Sequence, residues 1–133
     1  MRVGFIAIVG LIAVGSAGSQ SASARDLELE ERQVIEAAVK DQLKDPTSPM
    51  FKWLPLSAEQ PESYCALVNA KNSFGAYIGF TPYLVSLRWT LEELTGGKLI
   101  AMGNGDAASP RTKAVLQVCA DHGYADFSTA TGD

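Results

Sequence analysis

The chain reads as an α+β domain: an antiparallel sheet of three or four strands, flanked by an N-terminal and a C-terminal helix and carrying one disulfide. Three observations predict this. Stretches with three- and four-residue apolar spacing bracket the chain, near 29–44 and 110–122. Between them the pattern changes to strand-like alternation broken by Asn, Ser, Gly and Pro clusters. Only two cysteines occur, Cys65 in the middle and Cys119 in the last helical stretch.

Ahead of the domain, Met1-Arg2 give a positive start, Val3 to Val14 are uncharged and almost wholly apolar, and small residues follow through Ala24. This is the three-part layout of a secretory signal peptide. Its apolar run is about 12 residues, against the roughly 20 that span a bilayer. Ala22-Ser23-Ala24 supplies the small residues for cleavage after Ala24, and Gly15 to Ala17 offers an earlier site. The expected organisation is a signal peptide over residues 1–24 and one domain over 25–133, with no stable membrane span once the signal is removed. Removing 24 of the 133 residues leaves 109, enough for one core and too few for two ordinary domains. The expected compartment is extracytoplasmic, with the periplasm as the leading assignment. In an oxidising compartment Cys65 and Cys119 pair, closing a loop of roughly 55 residues, which stabilises by about 4 kcal/mol on the chain-entropy estimate. A redox centre would want the short Cys-x-x-Cys spacing, which is absent.

The first helix is expected over Leu29 to Lys44. Val34, Ile35, Ala38, Val39, Gln42 and Leu43 mark one side, acids crowd its start, and Lys40 and Lys44 sit at its end, matching the helix dipole. Asp45-Pro46 stops it. Met50 to Leu56 is a short strand with Phe51 and Trp53 on one face, and Pro55 places it at an edge or ends it. Ser63 to Ala70 alternates, with Tyr64, Ala66 and Val68 opposite Cys65, Leu67 and Asn69. Ala70 to Gly75 reads as a turn leading to a second strand over Ala76 to Leu87, giving an antiparallel hairpin. Gly79 and Pro82 mark a bulge or edge in that second strand. Trp89 to Leu94 fits either a helical turn or another hairpin arm; Thr95-Gly96-Gly97 reads as a turn, and Lys98 to Met102 as a short last strand. Ser109-Pro110 opens the second helix with a capping hydroxyl and proline at its first position, and Gly123 ends it. Ala114, Val115, Val118 and Cys119 form its apolar stripe. Both helices are expected on one sheet face, the other face at least partly wet, and the tail is expected to be disordered from about residue 128.

Two runs stand out together: Lys44-Asp45-Pro46-Thr47-Ser48-Pro49-Met50-Phe51, and Tyr64-Cys65 followed by Val68-Asn69-Ala70-Lys71-Asn72-Ser73-Phe74-Gly75-Ala76-Tyr77-Ile78-Gly79-Phe80. The combination resembles small uncharacterised exported bacterial proteins. In these a helix ends in a Lys-Asp-Pro-Ser-like turn, and a cysteine precedes a Val-Asn-x-Lys-Asn-Ser-x-Gly-x-Tyr-x-Gly hairpin. The likeness covers roughly residues 34–87. Pro49 departs from a commoner small residue, and Ala76 from a commoner Gly. The resemblance implies the fold and the compartment and carries no catalytic residues.

Composition narrows the function. Without Arg2, ten Lys/Arg face fifteen Asp/Glu; with no basic cluster in the sequence, nucleic-acid binding is disfavoured. One histidine and two paired cysteines make a poor metal set, no calcium-loop spacing or phosphate-cradling glycine loop occurs, and no cofactor is implied. The candidate binding site is the hairpin tip, where Asn69, Lys71, Asn72, Ser73 and Tyr77 gather hydrogen-bonding groups, with Tyr83 or Trp89 nearby. Asn72 and Ser73 also have a structural use, bonding to turn backbone. The expected function is non-enzymatic binding of another exported protein or envelope component. An inhibitor or immunity protein is one alternative. Another is a small hydrolase using His122, with Asp126 as its orienting carboxylate, or a carboxylate pair.

Overall fold

The computed structural model describes residues 24–132, together with Gly10 and Gly15. The expected signal peptide over residues 1–24 therefore lies outside the described residues, apart from those two glycines and Ala24. The elements in order are α1 (Leu29–Lys40), β1 (Met50–Trp53), β2 (Ser63–Asn69), β3 (Thr81–Thr90), β4 (Glu93–Met102), α2 (Pro110–Asp121) and β5 (Thr131–Gly132). All neighbouring strands are antiparallel, in the order β4-β3-β2-β1-β5. The α+β class, the antiparallel sheet, the two helices and the disulfide are as expected; the strand count is five, and the helices flank the sheet differently. The extra strand comes from the tail, where Thr131 pairs with Trp53 and Gly132 with Lys52, so β1 is not the sheet edge and the tail is not free from residue 128.

The helices lie on opposite faces of the sheet. Neighbouring residues of a strand point to opposite sides, and Cys65, whose sulfur bonds Cys119 of α2, pairs in register with Leu84. Val85, one residue on, faces the other way; a Cβ built on Gly97 would meet both Val85 and Ala38 of α1. The expectation of one covered face and one wet face is thus corrected: β2 and the first half of β3 are buried on both sides. Their inner residues Tyr64, Cys65, Ala66, Val68, Tyr83 and Val85 have no exposed surface. Ile35 and Val39 are the buried residues of α1's apolar side, Val115 and Cys119 those of α2. The α2 stripe is rotated from the expected one: Thr112 is buried, while Ala114 and Val118 face water.

Both helix ends follow local chemistry. Ser109 Oγ accepts from the Thr112 amide, Pro110 is the first helical residue, and Gly123 adopts φ +90° past the end. At the start of α1, Arg25 from the preceding segment forms a bidentate pair with Glu31 at 2.7 and 2.8 Å, and Glu31 also accepts from the amide of the N-cap residue Glu28. The helix stops at Lys40, short of the expected Lys44. Its last turn tightens instead, Gln42 N–H donating to Val39 and Leu43 N–H to Lys40.

The β3–β4 hairpin turns at Leu91 and Glu92, with φ +50° and +68°. Trp89 and Thr90 therefore belong to β3, while Thr95, Gly96 and Gly97, expected as a turn, lie within β4. β4 pairs from Glu93↔Thr90 to Met102↔Tyr83, shifting register at two irregularities. Pro82 thus stands beyond the last β3–β4 pair, where β3 has only β2 as a paired neighbour.

Candidate functional site

The expected hairpin exists, but its connection is longer than a turn. β2 ends at Asn69 and β3 begins at Thr81, so residues 70–80 form a projecting loop, with Lys71 and Tyr77 bridged inside it. The five candidate residues do come together there, and most of them build the loop. Asn72 Oδ1 accepts from the amides of Phe74 (2.9 Å) and Ala76 (3.1 Å), while Asn72 N–H donates to the Ala76 carbonyl at 2.8 Å. Asn69, buried, accepts the Gly79 amide at 2.9 Å, and Ile78 N–H donates to Ala70. Gly75 and Gly79 take φ +78° and +95°, which side-chain-bearing residues rarely adopt. Tyr77 Oη donates to the Ser48 carbonyl at 2.8 Å, tying the loop to the turn before β1. Lys71 Nζ lies 5.3 Å from the Tyr77 ring centroid, and Ser73 is exposed.

What this scaffold presents is apolar. Phe74, at the tip, is 95% exposed, and Tyr77, Ile78 and Phe80 show a third or more of their surface. On the adjoining strand Met50 is similarly exposed, and Lys52 Nζ sits 4.4 Å from the Phe80 ring centroid. Sequence reasoning placed Phe74 in the turn but passed over it, because the candidate site was chosen for its hydrogen-bonding groups. The available signal was its flanking by Asn72 and Gly75, which removes it from any strand. Tyr83 and Trp89 do not join the tip. Tyr83 is fully buried between Phe51 and Tyr64, and Trp89 lies at the far end of β3, donating to the Pro61 carbonyl at 2.6 Å.

His122 caps the C-terminal end of α2, and its Nδ1 is buried without a hydrogen-bond partner among the described residues. Asp126 is engaged elsewhere, accepting from Ser128 N–H at 2.9 Å and Ser128 Oγ at 2.6 Å, the latter being the larger cause of its lowered pKa. The two are therefore not assembled as a base and its orienting carboxylate. Glutamates do share one groove, between the start of α1 and the β3–β4 turn: Glu28, Glu30, Glu31, Glu92 and Glu93. A carboxylate-pair hydrolase needs one carboxyl held protonated. The hydrogen bonds from Arg25 instead hold Glu31 below the usual carboxylate range. Among the described residues no group of three or more potential ligands is arranged for a metal ion. No helix among them is long and apolar enough to cross a membrane.

Comparison with known proteins found no matching family model, no matching curated protein and no matching solved structure.

Proposed function

We propose that this protein is a non-enzymatic, exported binding module that presents the 70–80 loop to another exported protein or envelope component, with Phe74 as the anchor. The observation that carries the reading is a nearly fully exposed aromatic on a loop whose backbone is tied at several points by Asn69, Asn72 and Tyr77. Leaving a large ring in water is costly, at about 25 cal/mol per Å² of apolar surface, and a braced loop gives up little entropy when a partner covers it. Buried aromatics of this kind are the residues that dominate binding energy in protein interfaces.

The resemblance stated above supports the same division of labour. Asn69, Asn72, Gly75, Tyr77 and Gly79 of the pattern build the loop, whereas Phe74 and Ile78 occupy positions the pattern leaves open and face outward. An inhibitor or immunity protein is the form this reading takes when the partner is an enzyme or toxin.

The test is site-specific photo-cross-linking in the cell envelope. A benzophenone side chain replaces Phe74 in one variant and Leu91 in another; Leu91 is 94% exposed in the turn between β3 and β4. The expected result is a discrete cross-linked species from position 74 and none from 91. No product from 74, or the same products from both positions, would overturn the proposal. Phe74→Ala is expected to leave folding stability within about 0.5 kcal/mol, as for exposed positions generally, so its loss of binding reports on the surface alone.

A further inference from the structure

The loop that carries Phe74 is also one wall of a groove of about 310 Å³, bounded on its other sides by the residues after α1 and the connection from β4 to α2. Its charged residues are Lys44, Lys71 and Arg111, Leu43, Ile78 and Met102 give it an apolar part, and no carboxylate lines it. Arg111 donates its Nε to the Met102 carbonyl at 2.8 Å, and its terminal nitrogens make no ion pair among the described residues. Lys44 and Lys71 likewise make none there. Asp45, which feels the charge of Lys71, is already held by the Thr47 hydroxyl and amide.

This is an uneven use of charge. Residues 25–133 carry ten Lys/Arg and fifteen Asp/Glu, a net −5, yet three cations line this groove with no carboxylate in its walls. The glutamate groove lies at the opposite ends of α1 and β4. The polarity is invisible in the sequence because Lys44, Lys71 and Arg111 are far apart along the chain.

We infer that this groove receives an acidic segment of the partner protein, its carboxylates set against Lys44, Lys71 and Arg111 while Phe74 inserts into apolar surface beside them. The inference rests on the proposed binding role and adds the chemistry of the partner. A protein segment fits better than an anionic membrane because the cations line a concave wall, where side chains can enter; a lipid surface is met by projecting ones. The negative net charge of the domain opposes indiscriminate attraction of polyanions, so binding of one reports on the local groove.

The experiment uses fluorescence anisotropy with labelled oligo-glutamate and oligo-glutamine of equal length. The proteins are wild type, Lys71→Gln, the triple variant Lys44→Gln/Lys71→Gln/Arg111→Gln, and Phe74→Ala, each checked by thermal melting. Wild type is expected to bind oligo-glutamate, more weakly as salt rises, and not oligo-glutamine. The triple variant should bind about tenfold more weakly, the product of three exposed ion pairs of ordinary strength, with Lys71→Gln in between and Phe74→Ala unchanged. Equal binding of oligo-glutamine, or unchanged affinity in the triple variant, overturns the inference. So does failure to bind oligo-glutamate while vesicles of phosphatidylcholine with phosphatidylglycerol sediment the wild type but not the triple variant; that result assigns the cations to a membrane. Failed cross-linking from position 74 with oligo-glutamate binding intact removes the loop as anchor and leaves the groove's preference for acids standing. The converse removes the groove alone.

Discussion

Two tyrosines at the centre of the core give opposite predictions for the same atom. Tyr64 and Tyr83 are both fully buried, their ring centroids 6.3 Å apart. Tyr64 Oη accepts the Leu54 amide at 2.9 Å and donates to the Leu54 carbonyl at 2.7 Å. Tyr83 Oη has no hydrogen-bond partner among the described residues. An unpaired buried polar group costs about 1–3 kcal/mol in desolvation, so Tyr83→Phe is expected to stabilise the protein by about 1 kcal/mol after the lost oxygen contacts are deducted. Tyr64→Phe removes two hydrogen bonds and strands both backbone groups of Leu54, so it should destabilise by about 2 kcal/mol. Urea denaturation measures both; the midpoints should move in opposite directions, with the slope unchanged. If Tyr83→Phe lowers the midpoint as Tyr64→Phe does, the Tyr83 hydroxyl is satisfied and the reasoning fails.

Other outcomes follow from the same packing. Replacing Cys65 and Cys119 by Ala opens a loop with a sequence separation of 54 and should cost about 4 kcal/mol, lowering the melting temperature by roughly 15–20 °C; a drop of a few degrees refutes it. The hydrogen bonds from Arg25 depress the Glu31 pKa, so this contribution is complete above the ordinary value of about 4.3 and fades as pH falls through the lower folded value. The stability gap between wild type and Glu31→Gln should therefore shrink on acidification, and a constant gap counts against the pair. Burial raises the phenols of Tyr64, Tyr83 and Tyr124, the last to about 12. Neutral phenols then favour the fold up to their ordinary value of about 10, and that support is lost as pH rises toward the folded values. Absorbance at 295 nm should show these phenols ionising together with loss of the circular dichroism signal; ionisation within the intact fold would contradict their burial. Asn72→Ala should speed hydrogen exchange at the Phe74 and Ala76 amides while α2 stays protected, and unchanged exchange would mean the loop is held otherwise.

Legibility varied with how local the determining physics was. Ser109-Pro110 and Gly123 bound α2 through contacts within a turn, and both ends of that helix were readable. So was the cysteine pair, from the count and the expected compartment. The β3–β4 turn was not: Leu91 and Glu92 take positive φ without being Gly, Asn or Asp, and the glycines that looked like the turn serve packing instead. A Cβ at Gly96 would sit 2.6 Å from the Arg88 guanidinium, and one at Gly97 would press on Val85 and Ala38. Burial of β2 on both faces likewise blurs the alternation that separates a wet side from a dry one. At the candidate site the polar residues were legible because Asn, Ser and Gly announce a turn. Their role as scaffold, and Phe74 as what they display, depended on where the backbone turns back.

The staple between Cys65 and Cys119 reaches only one side of the sheet. α2 is covalently fastened to β2, whereas α1 is held by Ile35, Val39 and the close approach at Gly97. Opening should therefore be directional: the α1 layer can lift as a unit while the other two layers stay joined, so its amides exchange through a partial opening and those of β2 only through global unfolding. Because the residues just after α1 help wall the basic groove, a partner seated there would also restrain the more easily detached layer, and binding would be felt as mechanical stiffening on the side the disulfide leaves unsecured.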